Sequence, residues 1–303
     1  MRLCRRLYAF IEIFDLTLLF RFDIIPVNIV GTVNSYMKTV YITDLDGTLL
    51  RNDQTVSQYT RSVINGLTAR NIPVTFATAR SLETASIVTA GVEFGAPRII
   101  YNGAFIIGTD GRIVASNSFG SDGKSIANEL LRADVYPIVY SVRNGAEKFS
   151  FIPERLGSGA AAFIETRKDC GRCNPVIGES DLCVGDIFYF LCIDDIEKIS
   201  SLHDRFKNDY SCVYSVNMYH KNMWLEIMPK GVTKASAIAY LKEMLGCRIV
   251  AFGDGKNDIE MFKAADECFA TENAVPELKA IATGVIGRNE DDAVAKWLER
   301  NAK

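Results

Sequence analysis

Histidine is almost missing from this 303-residue chain, which has only His203 and His220. An imidazole triad, a His-rich metal site or an imidazole general base would have to use one of these two, so carboxylates are the expected acids, bases and ligands. Positive charge is not in excess either. With 34 Lys+Arg against 37 Asp+Glu the formal net charge is -3, and no sequence-wide basic field exists to hold nucleic acid. No apolar run approaches the roughly 20 residues of a membrane span. The eight cysteines are scattered through a chain too large to need staples, which points to reduced thiols and a cytoplasmic setting. Cys170 and Cys173 have C-x-x-C spacing but no second pair and no nearby His, so an ordinary turn is expected ahead of structural zinc.

What is present is ordinary globular composition, 48% hydrophobic and 23% charged, in a chain long enough for about two domains. Residues 1–36 open like a signal peptide, but Glu12, Asp15, Arg21 and Asp23 break the apolar stretch and no small-x-small cleavage site follows. Three readings stand: a peripheral amphipathic extension, a degenerate targeting segment, or residues upstream of a true start at Met37. The last is preferred, because Met37 immediately precedes a strong strand.

From Lys38 strands alternate with amphipathic helices, the pattern of a parallel α/β sheet. Strands are expected at 39–43, 72–77, 98–101 and 248–252, with helices at 56–70, from Ser81 to about Ala90, from about Thr233 to Leu245, at 257–265 and at 291–300. Between 119 and 225 the texture changes to an α+β insert, with strands at 136–142, 148–152, 186–193 and 211–216 and helices at 122–132 and 195–207. The expected architecture is a Rossmann-like parallel-sheet core, discontinuous over 37–118 and 226–303, interrupted by an inserted α+β cap domain at 119–225.

Each expected core strand delivers a polar group at its carboxyl end: Asp44, Thr78, Asn102 and Asp254. In an open parallel sheet the ligand crevice lies outside those ends, so residues more than two hundred positions apart can meet there. Asp44 and Asp46 in D-L-D-G-T also suit a plain turn. The joint occurrence with G-D-G-K-N-D after another strand is far more specific. Asp44, Asp46, Asp254 and Asp258 in one crevice would need a cation, and oxygen ligands without His favour a hard ion such as Mg2+. Asp258 could equally be a helix N-terminal carboxylate. Lys234 opens a helix, where a cation opposes the macrodipole, so an anion is expected beside it. With Thr78 and helix-end amides it would suit phosphoryl transfer.

DLDGTLL (44–50), Thr78 in FATAR, Lys234 in PKGVTKASAI and GDGKNDIEMF (253–262) resemble, in order and context, the four motifs of the haloacid dehalogenase-like phosphatases. YNGA (101–104) and an insert between the second and third motifs resemble the Cof-type branch with a large α+β cap. The resemblance spans about 37–303, though through the cap it rests on position and size. Two departures occur: T-G-R reads Thr78-Ala79-Arg80, and A-M-G-N-A reads Ala270-Thr271-Glu272-Asn273-Ala274, where Glu272 would alter the pocket edge.

The resemblance implies that Asp44 is a nucleophile forming an aspartyl-phosphate and Asp46 the acid and then the base. It implies Mg2+ at Asp44, the Asp46 carbonyl and Asp254 with Asp258 in support, and a phosphoryl group held by Thr78, Lys234, Asn257 and the amides of Leu45 and Ala79. The expected partner is a small phosphorylated metabolite such as a sugar phosphate, with no nucleic acid and no membrane, and the expected state is a monomer or weak homo-oligomer. Tyr136, Tyr140, Arg143, Arg167, His220 and Lys221 are candidate cap contacts by type, while His203 reads as a solvated helix residue. Rival readings are a phosphomutase or phosphotransferase on the same scaffold, and a binding module without turnover. The module reading predicts loss of a catalytic carboxylate, and none is missing. A P-loop nucleotidase is excluded because no G-x-x-x-x-G-K-[ST] occurs.

Overall fold

The computed structural model describes residues 38–216 and 223–303; the expectations for residues 1–36, Met37, His220 and Lys221 lie outside them. In chain order the first strands are β1 Thr39–Thr43, β2 Val74–Phe76, β3 Arg98–Ile100, β4 Phe105–Ile107, β5 Ile113–Ser116, β6 Ile138–Arg143 and β7 Ala146–Phe151. They are followed by β8 Cys173–Pro175, β9 Asp186–Asp194, β10 Ser211–Val216, β11 Met223–Met228, β12 Arg248–Gly253, β13 Glu267–Ala270 and β14 Gly284–Val285. The helices are α1 Gln58–Ala69, α2 Leu82–Val88, α3 Asp122–Arg132, α4 Ser158–Glu165, α5 Glu179–Leu182, α6 Ile196–Phe206, α7 Lys234–Leu245, α8 Ile259–Ala264, α9 Pro276–Lys279 and α10 Ala293–Asn301.

The core is a parallel sheet in the order β14-β13-β12-β1-β2. β1 is β-branched and almost wholly buried, as a central parallel strand must be. The chain leaves it toward β2 on one side and returns as β12 on the other, so the order reverses at the carboxyl end of β1. A ligand crevice forms at such a reversal. Three helices start where a hydroxyl is available: Ser57 accepts from the Thr60 amide, Ser81 from the Thr84 amide, and Thr233 forms a capping box with Ser236. Gly246, left-handed at φ 57, ends α7.

The third expected core strand differs from expectation. β3 joins the parallel sheet only through a bridge from Ala77 to Ile99, then pairs antiparallel with β4, which pairs with β5. The cause is the turn that follows: the Asn102 amide bonds to Thr78 O and the Tyr101 amide to Arg80 O, binding the end of β3 to the loop after β2. α2 also stops at Val88, short of the expected Ala90, with Thr89 as its C-cap.

A second sheet of six strands, β10-β11-β9-β6-β7-β8, is antiparallel except for β7 with β8. α3 and α6 cover one face, where Ile126, Leu130, Ile199 and Phe206 pack with Val139, Phe190 and Leu225. On β9 the register passes from Tyr140↔Tyr189 to Ser141↔Ile187, leaving Phe188 as a bulge. Phe188 and Tyr189 therefore both pack with Tyr101 and Tyr140. The sheet runs past the expected boundary at 225/226: β11 pairs with β9 and β10 as far as Ile227 and Met228 respectively. α4 and β8, the latter beginning at Cys173, had no counterpart in the sequence reading.

Candidate active site

Asp44 stands at the end of β1 with its amide bonded to Phe252 O of β12, so the switch point itself fixes its position. Lys234, the first residue of α7 and only 2% exposed, places its ammonium 2.9 Å from Asp44 and 2.7 Å from Asp258. The anion that offsets the adverse dipole position of Lys234 is thus, at least in part, this pair of carboxylates. Asp258 has no exposed surface; its second oxygen accepts from the amides of Asp254 and Gly255, 3.0 Å each. It fixes both the lysine and the turn that carries Asp254. Thr48 holds Asp254 at 3.0 Å.

Ligand atoms of Asp44, Asp254 and Asp258 lie within 4.8 Å of one another. Burial pushes the Asp44 carboxyl well above its usual range against the pull of Lys234, and Asp258 and Asp254 add to the push. Burial, with the charge of Asp258, raises Asp254 to about 6. Burial alone would lower the Lys234 ammonium, but Asp258 and Asp44 hold it above the ordinary lysine value. Three carboxylates facing one ammonium are under-neutralised, and an all-oxygen set of this kind fits a hard divalent cation. Gly47 leaves room for this grouping. At φ 73, a Cβ there would lie 2.2 Å from Asp254 Oδ2.

The other expected residues surround this centre in different ways. Asp46 is not part of the carboxylate group: its side chain is 51% exposed and gripped by both arms of Arg80, at 2.7 and 2.6 Å. Thr78 is fully buried, and its hydroxyl accepts from the Arg80 amide. The Leu45 amide donates to Asp44 Oδ1 at 2.7 Å. Asn257 lies in the short turn Lys256–Asp258. Glu272 is exposed. Its neighbour Asn273 bonds to Gly47 O at 2.7 Å and accepts from the Asn289 amide, so this segment still braces the first motif.

A cavity of about 330 Å³ opens between the two sheets, floored by Asp46, Ala79 and Arg80 and roofed by Tyr140, Tyr189, Trp224 and Glu226. Tyr140 and Arg167 are the described cap candidates that line it. Tyr136 lies under Arg155, Arg143 is tied to Ser141, Ser150 and the Asp181 carbonyl, and His203 stacks on Tyr214. Sequence reasoning missed Glu226. It is buried, accepts from Asn102 at 2.7 Å, and is raised by burial against hydrogen bonds from Tyr189 and Asn102. It also missed Arg172, which binds Glu83 at 2.7 Å and Glu147 at 2.6 Å. Glu147 also accepts a hydrogen bond from the Tyr101 hydroxyl. Their neighbours in YNGA, Tyr101, Asn102 and Gly103, all sit at positive φ.

The described cysteines are free, and Cys170 and Cys173 share a turn closed by the Cys173 amide on Cys170 O. Among the described residues no helix is long and apolar enough to cross a membrane. Residues 41–298 match the family described as haloacid dehalogenase-like hydrolase. A 5-amino-6-(5-phospho-D-ribitylamino)uracil phosphatase of Bacillus subtilis is 29% identical over 290 residues, covering 87% of this chain and 98% of its own. An HMP-PP phosphatase of Serratia proteamaculans is 27% identical over 265 residues, covering 84% and 92%. Of solved structures, one from Thermotoga maritima superposes with a TM-score of 0.71 at 26% identity over 88% of this chain and 98% of its own. A haloacid dehalogenase-like hydrolase from Bacteroides thetaiotaomicron has a TM-score of 0.69 at 23% identity over 87% and 99%, a likeness of fold.

Proposed function

Because the chain belongs to the haloacid dehalogenase-like hydrolase family, we propose that it is a Mg2+-dependent phosphatase of small phosphorylated metabolites that works through an aspartyl-phosphate. The observation that carries this reading is Asp44 at the sheet's switch point, 2.9 Å from a buried lysine and grouped with Asp254 and Asp258. The similar phosphatases of B. subtilis and S. proteamaculans support the substrate class.

An Asp44 oxygen attacks phosphorus in line, and the bond to the ester oxygen breaks as Asp46 gives that oxygen a proton. Asp46 then takes a proton from water, which attacks the same phosphorus and breaks its bond to Asp44, releasing inorganic phosphate. Lys234 offsets charge at Asp44, while Thr78, Asn257 and the amides of Leu45 and Ala79 hold the transferring group. Asp44, Asp254 and the Asp46 carbonyl, supported by Asp258, would hold Mg2+, which supplies positive charge against the phosphoryl oxygens. The second sheet, from about Phe119 to Met228, acts as a cap that shields the crevice from water.

Phosphate release from a panel of phosphorylated metabolites, with Mg2+ and with chelator, tests the reading. Release should require the metal, and Asp44→Asn should fold normally yet lose about 10³-fold or more in kcat. Full activity in Asp44→Asn, or release indifferent to chelator, would contradict it.

A further inference from the structure

Three arginines, Arg80, Arg167 and Arg172, line the cavity between the two sheets. Two of them are neutralised: Arg80 by Asp46, and Arg172 by Glu83 and Glu147. Arg167 is different. It lies just past the end of α4, stacked 3.7 Å over the Phe163 ring, and its hydrogen bonds use one terminal nitrogen only, to Phe163 O at 3.0 Å and Thr166 Oγ1 at 2.6 Å. Among the described residues no carboxylate pairs with it, and Nε and Nη2 have no acceptor. That free edge is the planar fork that binds carboxylate or phosphate oxygens in pairs.

Its surroundings make an unpaired charge costly. Phe163, Tyr140 and Trp224 share the cavity wall, and burial, with Arg80 and Arg172 nearby, lowers the guanidinium from its ordinary value. A half-buried cation among aromatic rings and like charges is stabilised when an anion arrives. The reacting phosphoryl group belongs at Asp44 and Lys234, which leaves this fork for another part of the same molecule.

Building on the phosphatase reading, we propose that Arg167 is a specificity-determining residue that binds a second anionic group of the substrate, a carboxylate or a further phosphate, remote from the phosphoryl being transferred. Neutral sugar monophosphates are then poor substrates.

The test uses the full chain and two matched pairs: fructose 6-phosphate with fructose 1,6-bisphosphate, and glycerol 3-phosphate with 3-phosphoglycerate. In at least one pair the member with the second anion should have the higher kcat/KM, by about tenfold or more and chiefly through KM. Arg167→Gln should bring that ratio near one, and Arg167→Lys should keep part of it. The pair that responds identifies the anion as phosphate or carboxylate. The same four compounds are titrated calorimetrically onto Asp44→Asn, with and without Arg167→Gln, so the preference is read without turnover. A ratio unmoved by Arg167→Gln, or no preference in either pair by kinetics and binding, overturns the proposal. Absence of phosphate release with the binding preference intact would instead overturn the phosphatase reading alone.

Discussion

Gly47 shows how tightly the candidate site is drawn. Its φ of 73 is open to glycine at little cost, and the missing Cβ is where Asp254 Oδ2 would otherwise collide. Gly47→Ala should therefore displace Asp254, with at least about a tenfold loss of kcat/KM and a raised Mg2+ requirement. Wild-type kinetics in that variant would show that the close approach is not needed. At this scale three of the motif carboxylates, Asp44, Asp254 and Asp258, come together as the sequence suggested, because each stands after a strand end or before a helix. The side chain of Asp46 was not placed correctly with them, since its direction is set by Arg80, a residue without a role until the two were seen bonded. Glu226 and Arg172 were unreadable for a related reason: their partners Asn102 and Glu83 lie far off in sequence, in the turn after β3 and in α2.

Helices were legible where a cap and an apolar period coincide, as in α1 and α7. α4 and β8 were not, because the stretch from Gly157 to Pro175 mixes small, basic and cysteine residues without a clear period. One element contact has a pH signature. Asp292, the residue before α10, accepts from Thr60 of α1 at 3.1 Å and is gripped by both arms of Arg51. Burial would raise its carboxyl, but hydrogen bonds from Arg51, Ser57 and Thr60 and the charge of Arg51 hold it below the usual value. A folded value below the unfolded one adds stability that is full above the unfolded value and is lost as pH falls through the folded one. Urea midpoints should thus fall as pH drops below about 4, and Asp292→Asn should lower the midpoint at pH 7 while reducing that acid loss. An equal acid slope in both proteins would contradict the assignment.

In the whole molecule, the alternation of strands and helices announced the parallel core, and the change in texture after Ser118 announced a second unit. The contacts between them could not be foreseen: Arg172 with Glu83, Tyr101 with Glu147 and Asn102 with Glu226 tie α2 and the turn after β3 to the second unit. The aromatic residues of the second sheet line one cavity with Asp46, Ala79 and Arg80. The central claim is that Asp44 becomes phosphorylated, and it has a direct chemical readout. Enzyme mixed with 32P-labelled substrate and Mg2+, then quenched in acid, should carry label on the peptide containing Asp44. Hydroxylamine should release that label, as it does from an acyl phosphate, and Asp44→Asn should carry none. Phosphate release from wild-type enzyme with no label on that peptide, under conditions that trap acyl phosphates, would contradict the account.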